Sequence, residues 1–309
     1  MHIIVVGSLN MDLVVRMPNI PRPGETLLGG VFMTFPGGKG ANQAVAAARL
    51  GGKVTMVGMV GADAFGAELK QILVREGIDA THTLVNPKEA TGVALIEVDA
   101  QGNNSIAVAS GANYALTILD VEQALNSIPE FDILVMPLET PIDVVTAAAK
   151  IARKRGARVI LNPAPAQHLS TDLLENIDVI VPNEHETQSL TGIQLDNADD
   201  YQKAAADLMS KGIKNIILTL GKQGAYILEN ETLEGAYFLP AYSVKTMDTT
   251  AAGDCFIGAL AVGLSEKMSI RQATSFASAA AAISVTRMGA QPSMPYRNEV
   301  DQFILERKK

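Results

Sequence analysis

The sequence lacks most of the features that would place it outside the cytoplasm or on a polyanion. Its single cysteine, Cys255, excludes an internal disulfide and any metal site built from cysteines. The formal net charge of -8 and the pI near 5.1 argue against non-specific binding to nucleic acid or to anionic membranes. No apolar run reaches membrane length, and residues 1–6 lack the basic start of a signal peptide. We therefore expect a soluble cytoplasmic protein with no nucleic-acid or membrane partner, in which any anionic ligand is held locally.

Two common phosphate-binding motifs are also missing. The sequence contains no G-x-x-x-x-G-K-[ST] P-loop, and no G-x-G-x-x-G follows the first predicted strand. The sequence therefore lacks the main evidence that would assign it to the P-loop ATPases or to the dinucleotide-dependent dehydrogenases.

The composition is otherwise that of a large globular domain, with 48% hydrophobic and 19% charged residues among 309. Short β-branched runs predict buried parallel strands at residues 3–7, 54–60, 133–136, 159–161, 179–181 and 216–220. Helices are predicted at residues 41–50, 66–76, 142–155, 183–190, 200–211, 251–264 and 270–287. This alternation predicts one α/β domain over residues 1–309, with a mostly parallel central sheet flanked by helices on both faces.

Two stretches, residues 13–35 and 81–109, interrupt this alternation. Both combine strand-like patterns with Pro, Gly and Asn turns, and neither contains a convincing helix. We interpret them as a small β-sheet beside the main one that serves as a lid. The alternative is a pair of long β-rich loops, although structureless loops of that length are uncommon in compact domains.

The segment Asp-Thr-Thr-Ala-Ala-Gly-Asp, residues 248–254, precedes an apolar helical run. Small residues let the backbone approach a ligand, and the amides that open a helix lack partners, so Ala251, Ala252 and Gly253 could direct N–H groups at a phosphoryl group. An ionised Asp254 in such a turn makes sense if it accepts a proton from a nucleophile that attacks the phosphate. The alternative is that Asp254 only caps a helix, and this segment alone does not decide between the two.

A second glycine-rich segment, Gly-Gly-Lys-Gly-Ala-Asn-Gln-Ala at residues 37–44, opens another predicted helix. Its glycines allow a tight turn, and Lys39 and Asn42 share one helical face, where they offer donors and an acceptor to a polyol. Asn10 and Asp12 follow the first strand, where open α/β sheets bind ligands. Taken alone, Asn10 and Asp12 are equally well explained as a turn, and Lys39 as a solvated charge.

Asn183 and Glu186 follow the strand predicted at residues 179–181. Their i, i+3 spacing in the first turn of a helix suits them to hold a hydrated Mg²⁺ beside phosphates. Without further support, a helix cap with exposed carboxylates is the simpler interpretation.

Taken together, these segments resemble the ribokinase family of sugar kinases, also called the PfkB carbohydrate kinases. The N-terminal signature of the family is matched by residues 37–44, with Gly51 and Gly61 in the expected places. The C-terminal signature is matched by residues 248–254 and continues to residues 258–260. Two long signatures in the right order extend the resemblance over essentially the whole chain. Within the family, the segments most similar to ribokinases are residues 111–113, 162–166 and 289–293.

The resemblance implies an ATP-dependent kinase that phosphorylates the 5-hydroxyl of D-ribose. It implies that Asp254 is the general base and that Ala251, Ala252 and Gly253 form an anion hole. The implied sugar contacts are Asn10, Asp12, Gly38, Lys39, Asn42, Glu139 and Asp254. The implied nucleotide contacts are Asn183, Thr219, Leu220, Gly221, Lys222, Gln223, Gly224, Gly253 and Ser278.

The resemblance also implies two metal ions and a protein partner. Mg²⁺ is expected near Asn183 and Glu186, held through water. A monovalent cation, usually K⁺, would fix the loop amides toward the phosphate, and its expected site consists of Asp248, Thr250, Ser284, Arg287, Gly289 and Ser293. The lid of such kinases pairs with the lid of a second subunit, so a homodimer is expected.

Three positions depart from the ribokinase pattern. Cys255 and Ile257 stand where Thr and Asn are frequent, and Ser278 stands where some ribokinases have a histidine near adenine. Ile257 also suits a relative that acts on deoxyribose, whereas such relatives lose the asparagine at the position of Asn10.

Two alternatives to a ribose kinase stay open. One is a related kinase for 2-deoxyribose, a ketose or a nucleoside. The other is a catalytically silent regulator that binds a sugar or a nucleotide. An intact Asp254 with its Ala-Ala-Gly turn favours an active kinase, because a silent relative would be free to lose them.

Overall fold

The protein is described by a computed structural model that covers residues 1–229 and 235–307. Within these residues the strands are β1 (His2–Val6), β2 (Asn10–Arg16), β3 (Val31–Gly37), β4 (Lys53–Gly61), β5 (Thr83–Asn86), β6 (Gly92–Val98), β7 (Asn104–Ala109), β8 (Ile133–Met136), β9 (Arg158–Leu161), β10 (Val179–Ile180), β11 (Asn215–Thr219), β12 (Gly224–Leu228) and β13 (Tyr237–Pro240). Nine of them form one sheet in the order β13-β12-β11-β10-β9-β8-β1-β4-β5, and the other four form a second sheet in the order β3-β2-β6-β7.

The large sheet is parallel except at one edge, where β11, β12 and β13 pair antiparallel. Its central strand β1 contributes Ile3 and Val5 to one core and Ile4 and Val6 to the other. Successive side chains of a strand point to opposite faces, so a strand buried on both faces must be apolar throughout. This explains the continuous apolar runs in the sequence and confirms the predicted α/β architecture.

Helices cover both faces of the large sheet. In the described residues they are α1 (Lys39–Arg49), α2 (Ala64–Arg75), α3 (Ile118–Ser127), α4 (Ile142–Lys154), α5 (Thr171–Leu174), α6 (Glu184–Thr191), α7 (Ala198–Ser210), α8 (Ala252–Ser265), α9 (Ile270–Ser284) and α10 (Arg297–Arg307). No helix within these residues is long and apolar enough to cross a bilayer.

Helix α9 is shorter than the predicted helix at residues 270–287. After Ser284 the backbone tightens, and the amides of Thr286 and Arg287 donate to carbonyls three residues back. The Val285 carbonyl instead accepts the amides of Met247 and Asp248, at 2.7 and 3.2 Å. A contact distant in sequence therefore ends the helix, which its local composition would have allowed to continue.

The small sheet is the β layer expected beside the main one. Strand β2 pairs antiparallel with β3 and parallel with β6, and β6 pairs antiparallel with β7. Contrary to the prediction for residues 81–109, strand β5 does not join it, because residues 83–86 pair in parallel with β4 at the edge of the large sheet. The second stretch therefore enters the small sheet only from Gly92 onward.

Candidate active site

The predicted site residues converge at one edge of the large sheet. Strands β1, β8, β10 and β11 are parallel, so their carboxyl ends lie on the same side. Asn10 and Asp12 come soon after β1, Glu139 follows β8, Asn183 follows β10, and Thr219 ends β11. Asn10 and Asp12 are not a turn, because they open strand β2 and lie on the same face of the small sheet.

Close packing of α1 against α8 brings the two glycine-rich signatures together. A Cβ atom on Gly258 would lie 2.6 Å from the Cβ of Ala46 and 2.7 Å from the carbonyl oxygen of Gln43. No side chain fits there, so the two helices approach with backbone nearly in contact. The result is that the start of α1 lies beside Asp254 in the first turn of α8.

The Asp254 carboxylate is buried, with 6% of the residue exposed, and each of its oxygens accepts an amide hydrogen bond from α1. Asn42 Nδ2 donates to Oδ2 at 3.0 Å, and Gln43 Nε2 donates to Oδ1 at 3.0 Å. These bonds come from a different helix, so Asp254 is more than a cap of its own helix. One lone pair on each oxygen is left for another group.

Asn10 is held in one orientation by a neighbour that the sequence prediction did not include. Asn113 Nδ2 donates to Asn10 Oδ1 at 2.7 Å, and the Asn113 side chain also bonds the Leu9 backbone, accepting from N–H at 2.9 Å and donating to the carbonyl at 3.1 Å. With its oxygen engaged, Asn10 keeps its amide N–H groups for a ligand.

Glu139 is also fixed by the protein. Its Oε2 accepts from the Ser8 hydroxyl at 2.5 Å and from the backbone N–H of Lys39 at 3.0 Å. The second bond satisfies one of the amides that open α1. Glu139 therefore presents its remaining acceptor sites beside Gly38, whose backbone packs against Asn10 with φ of 84°.

Acidic groups dominate the electrostatics of the site. Burial, together with the charges of Glu139 and Asp254, raises the pKa of Asp12 to about 7. The Asp254 charge, opposed by burial and reinforced by Glu139 and Glu186, raises the pKa of the Lys39 ammonium. Lys39 is thus a firmly charged cation facing three carboxylates, and Asp12 takes up a proton more easily than an ordinary aspartate.

Asp12→Asn is expected to stabilise the ligand-free protein at about pH 8 and to stabilise it less at about pH 5. The ordinary pKa is 3.8 and the folded-state pKa is about 7. Between these values the folded protein holds a proton that the unfolded chain releases, so stability falls as the pH rises through this window. An amide does not ionise and removes that loss. Melting temperatures measured at both pH values test this, and an equal shift at both would exclude titration of Asp12 as the cause.

The loop before α8 offers unpaired backbone amides. Ala251 has φ of 56°, in the left-handed region that residues other than glycine rarely adopt. The N–H groups of Ala251 and Gly253 have no acceptor among the described residues, whereas Ala252 donates to the Thr249 carbonyl at 3.2 Å. A Cβ on Gly253 would meet no atom within 4 Å, so open space lies beside this backbone. Of the three amides predicted for the anion hole, two are free.

The predicted nucleotide loop lies next to this site. Thr219 and Asn183 form a bridge between β11 and the chain that enters α6. Gly221 has open space around its α-carbon, but Leu220 is buried, with 1% exposed, and the Gln223 side chain accepts a hydrogen bond from Tyr201. The backbone at Gly221 is open to a ligand, whereas the Leu220 side chain is not.

Asn183 and Glu186 form a capping box at the start of α6. Asn183 Oδ1 accepts from the Glu186 N–H at 2.8 Å, and the Glu186 carboxylate accepts from the N–H and the side-chain amide of Asn183, each at 2.9 Å. Contrary to the exposed carboxylate that a simple cap would show, Glu186 is buried, with 7% exposed, and burial raises its pKa. No cluster of three or more His, Cys, Asp or Glu able to hold a metal occurs in residues 1–229 and 235–307.

The residues predicted for a monovalent cation lie on two segments joined by Asp248. Its Oδ1 accepts from the N–H and hydroxyl of Thr250, at 2.9 and 2.6 Å, and its Oδ2 accepts from the Gly289 N–H at 2.8 Å. Burial opposes ionisation, but these hydrogen bonds lower the pKa of Asp248.

The other three predicted cation ligands direct their side chains to protein partners. Ser284 and Ser293 donate their hydroxyls to the carbonyls of Ala281 and Ala290, and the Arg287 guanidinium pairs with Glu299. Their side chains are therefore engaged within the protein.

Comparison with known proteins identifies the family. The model of the pfkB family carbohydrate kinases matches residues 1–297. The chain belongs to the pfkB family.

The ribokinase of Haemophilus influenzae is 45% identical over 300 residues, which cover 97% of each chain. The deoxyribokinase of Salmonella typhi is 38% identical over 305 residues, which cover 98% of this chain and 99% of its own. A structure of Arabidopsis thaliana ribokinase complexed with ribose and ATP has a TM-score of 0.90 at 32% identity and covers 98% of both chains.

Membership of the pfkB family makes the protein a sugar kinase, as the two signatures predicted. The sequence prediction nevertheless missed the polar residues that support the site, namely Ser8, Gln43, Asn113, Asn162 and Gln291. Gln43 carried the clearest signal, because it stands beside alanines on the helical face that packs into the core. Asn113 and Asn162 lie in segments already noted as similar to ribokinases, but nothing local shows what they contact.

Two of the three departures from the ribokinase pattern lie inside the core. Cys255 is fully buried, and burial raises the pKa of its thiol to about 12, so it packs rather than reacts. Ile257 is 1% exposed and belongs to the core under α8. Ser278 is half-buried on α9.

Proposed function

We propose that this pfkB-family kinase transfers the γ-phosphoryl group of ATP to the 5-hydroxyl of D-ribose, with Asp254 as the general base. The observation that carries the proposal is the placement of Asp254. Its carboxylate is bonded to α1, which carries the sugar signature, while its own helix opens with free backbone amides suited to a phosphoryl group. Ribokinases related over 97% of the chain support ribose as the acceptor.

The proposed reaction takes place between the sugar signature on α1 and the backbone amides that open α8. Asp254 accepts the proton of the sugar hydroxyl as the hydroxyl oxygen bonds to the γ-phosphorus, and the bond to the bridging oxygen of ADP breaks. In a loose transition state the proton leaves late, so a weak base is sufficient. Positioned proton acceptance contributes about 10²–10⁴-fold, and a preorganised amide donor contributes about 10²–10³-fold. The amides of Ala251 and Gly253 would supply the donors, and Ala252 would join them by releasing the Thr249 carbonyl.

The sugar would be held by groups that the protein has already oriented. Asn10 offers N–H donors because Asn113 engages its oxygen, and Glu139 offers acceptor sites. Asp12, Asn42 and the Gly38 backbone would complete the contacts. Lys39 would lie between sugar and phosphate, where its charge offsets negative charge that develops during transfer.

The nucleotide would lie along the loop Thr219–Gly224 and the start of α6, with Lys222 toward solvent and Ser278 near the base. A hydrated Mg²⁺ fits Glu186, because its carboxylate keeps acceptor sites beyond those used by Asn183, and oxygen is the ligand that Mg²⁺ prefers. Bound there through water, the ion would neutralise phosphate charge. Asn183 and Glu186 orient each other and so keep the carboxylate in place.

A monovalent cation, K⁺ in our proposal, would be held at the segments joined by Asp248. The ionised Asp248 and backbone oxygens near Thr250, Ser284, Arg287, Gly289 and Ser293 are hard ligands that suit such an ion. Ordering these segments would fix the left-handed turn at Ala251 that directs the anion-hole amides.

ATP turnover with Mg²⁺ on ribose, 2-deoxyribose, fructose and adenosine, each in K⁺ and in Na⁺, tests the acceptor and the cation together. We expect strong turnover on ribose that depends on K⁺. The deoxyribokinase relative makes 2-deoxyribose the informative competitor, and stronger turnover on it would keep the mechanism and change the acceptor. A folded protein that binds ATP but turns over none of them would favour a silent regulator.

We further propose a homodimer formed through the small sheet. Paired strands place Val14, Ile96 and Ile106 side by side on one face, the face that carries Asn10 and Asp12 nearer the main sheet. Towards the far end this face is exposed, with Val31 at 61% and Ile106 at 54%. A second copy of the sheet would bury this apolar surface and protect its edges.

Ile106→Lys is expected to convert the dimer to a monomer, because a lysine cannot be buried unpaired in an apolar interface. The matched control is Leu95→Lys, whose side chain is equally exposed at 52% but lies on the opposite face of the same sheet. Molar mass by light scattering measures the result. A monomeric wild-type protein, or equal effects of the two substitutions, would contradict the proposed interface.

A further inference from the structure

Gln43 is a fully buried polar residue beside Asp254, the proposed base. None of its surface is exposed, and its Nε2 lies 3.0 Å from Asp254 Oδ1 and 3.1 Å from Asn162 Oδ1. A side-chain amide nitrogen carries two hydrogens, so both are used, one on each acceptor. Its Oε1 has no hydrogen-bond partner among the described residues.

Gln43 leaves one buried oxygen unpaired while its nitrogen donates to two buried acceptors. A buried amide oxygen without a partner costs about 1–3 kcal/mol, and methionine would avoid that cost at a similar volume but would leave Asp254 Oδ1 and Asn162 Oδ1 without this donor. What a methionine could not supply is the pair of donors at Nε2. The part of Gln43 that matters is therefore the end that meets Asp254.

Asn162 ties this contact to the large sheet. Its backbone N–H donates to the Met136 carbonyl at 2.9 Å, and its Nδ2 donates to the Val181 carbonyl at 3.2 Å. Asn162 is thereby fixed to the ends of two parallel strands. The hydrogen bonds through Gln43 and Asn162 therefore connect the Oδ1 atom of Asp254 to the large sheet.

The other oxygen of Asp254 is fixed separately. Asn42 Nδ2 holds Oδ2, and Asn42 Oδ1 accepts from Gln291 Nε2 at 3.3 Å. A carboxylate held at one oxygen can still rotate about its Cβ–Cγ bond. A carboxylate held at both oxygens, by groups with different anchors, has its plane fixed.

We infer that Gln43 is a positioning residue: through Asn162 it fixes the plane of the Asp254 carboxylate, so that the free lone pairs face the acceptor hydroxyl. The inference rests on the proposed role of Asp254 as the base. Gln43 itself touches neither substrate, and its effect should appear in kcat rather than in the affinity for the sugar.

Gln43→Met should lower kcat by about 10- to 100-fold, as expected for a misplaced catalytic group, with only a small change in the KM for the sugar. Asn162→Ala should lower kcat less. The double variant should resemble Gln43→Met alone, because the two side chains act in series. If the losses in kcat of the two single variants added up in the double variant, the two side chains would not act in series.

Gln43→Glu adds a readout that a purely structural role would not change. A second carboxyl group against Asp254 would share a proton with it, so the acidic limb of the pH–rate profile should move to higher pH. The control is Thr274→Val, which removes another fully buried polar atom without a partner, at Thr274 Oγ1 in α9. Thr274→Val should leave kcat and the pH profile unchanged.

A crystal structure of Gln43→Met separates this inference from the proposed function. We expect the Asp254 carboxylate to be rotated or to occupy two orientations. An unchanged carboxylate, or a folded Gln43→Met enzyme with wild-type kcat, would overturn the role of Gln43. If the wild-type protein turned over no acceptor, the proposed function would fail, and the orientation of Asp254 in the variant would still decide whether Gln43 positions it.

Discussion

Asp254→Asn should bind ribose and ATP yet turn over about 10²–10⁴-fold more slowly than the wild-type protein. The amide cannot accept the proton of the sugar hydroxyl, and its NH₂ group would face either the Asn42 or the Gln43 amide, which are both donors. Calorimetric titration of each ligand, together with single-turnover rates, measures the two effects separately. Near-wild-type activity would remove Asp254 from the mechanism.

The swap Asn42→Asp with Asp254→Asn is the matched control. It keeps the charge of the site and restores a donor facing an acceptor, because the new amide at position 254 can donate to the new carboxylate at position 42. That carboxylate also accepts the existing bond from Gln291. We expect a stable, folded protein that binds ribose and ATP but is inactive, which would attribute the loss to the position of the base rather than to damaged hydrogen bonding or a lost sugar contact.

Asp248→Ala should lower kcat by about 10²-fold, the effect of losing an anion-hole donor, and should abolish any difference between K⁺ and Na⁺. The substitution removes the hydrogen bonds from Thr250 and Gly289 that join the two segments of the proposed cation site. The left-handed conformation of Ala251, which costs about 1–2 kcal/mol, would then lose its support. Initial rates in each salt at saturating ATP test this expectation.

Ala251→Gly is the control for that turn. Glycine adopts a φ of 56° without strain, so the variant should keep its activity and its response to K⁺. Its stability should change by less than about 1 kcal/mol, because relief of strain is offset by the greater freedom of the unfolded chain. If Asp248→Ala kept full activity and its K⁺ response, the cation would have to be held elsewhere.

Much of the fold followed from local pattern, because a parallel sheet covered on both faces requires continuous apolar strands. The runs at β8 and β9 were recognisable for this reason. The boundaries that failed depend on pairing across the chain. Residues 83–86 resemble lid strands locally, and only their register with β4 assigns them to the large sheet.

The candidate site shows the same difference between what local sequence predicts and what depends on distant contacts. Asp254, Lys39 and Asn42 could be selected as candidate site residues, because their residue types in glycine-rich signatures indicate chemistry. Gln43 and Asn162 could not, because their role depends on a contact over 119 residues of sequence that the folded chain creates. Short motifs reveal groups that meet a ligand, and they do not reveal the residues that hold those groups in place.

The contact between α1 and Asp254 has a consequence for how the substrate range of this enzyme can change. Asn42 belongs both to the proposed sugar contacts and to the support of the base, so a substitution that reshapes the pocket at α1 also disturbs catalysis. Strand β2 does not hold the base in this way, since neither Asn10 nor Asp12 makes a hydrogen bond to Asp254 in the described structure. New acceptors should therefore be acquired more readily through β2 and the small sheet, and directed evolution of this kinase should accumulate its first productive substitutions there.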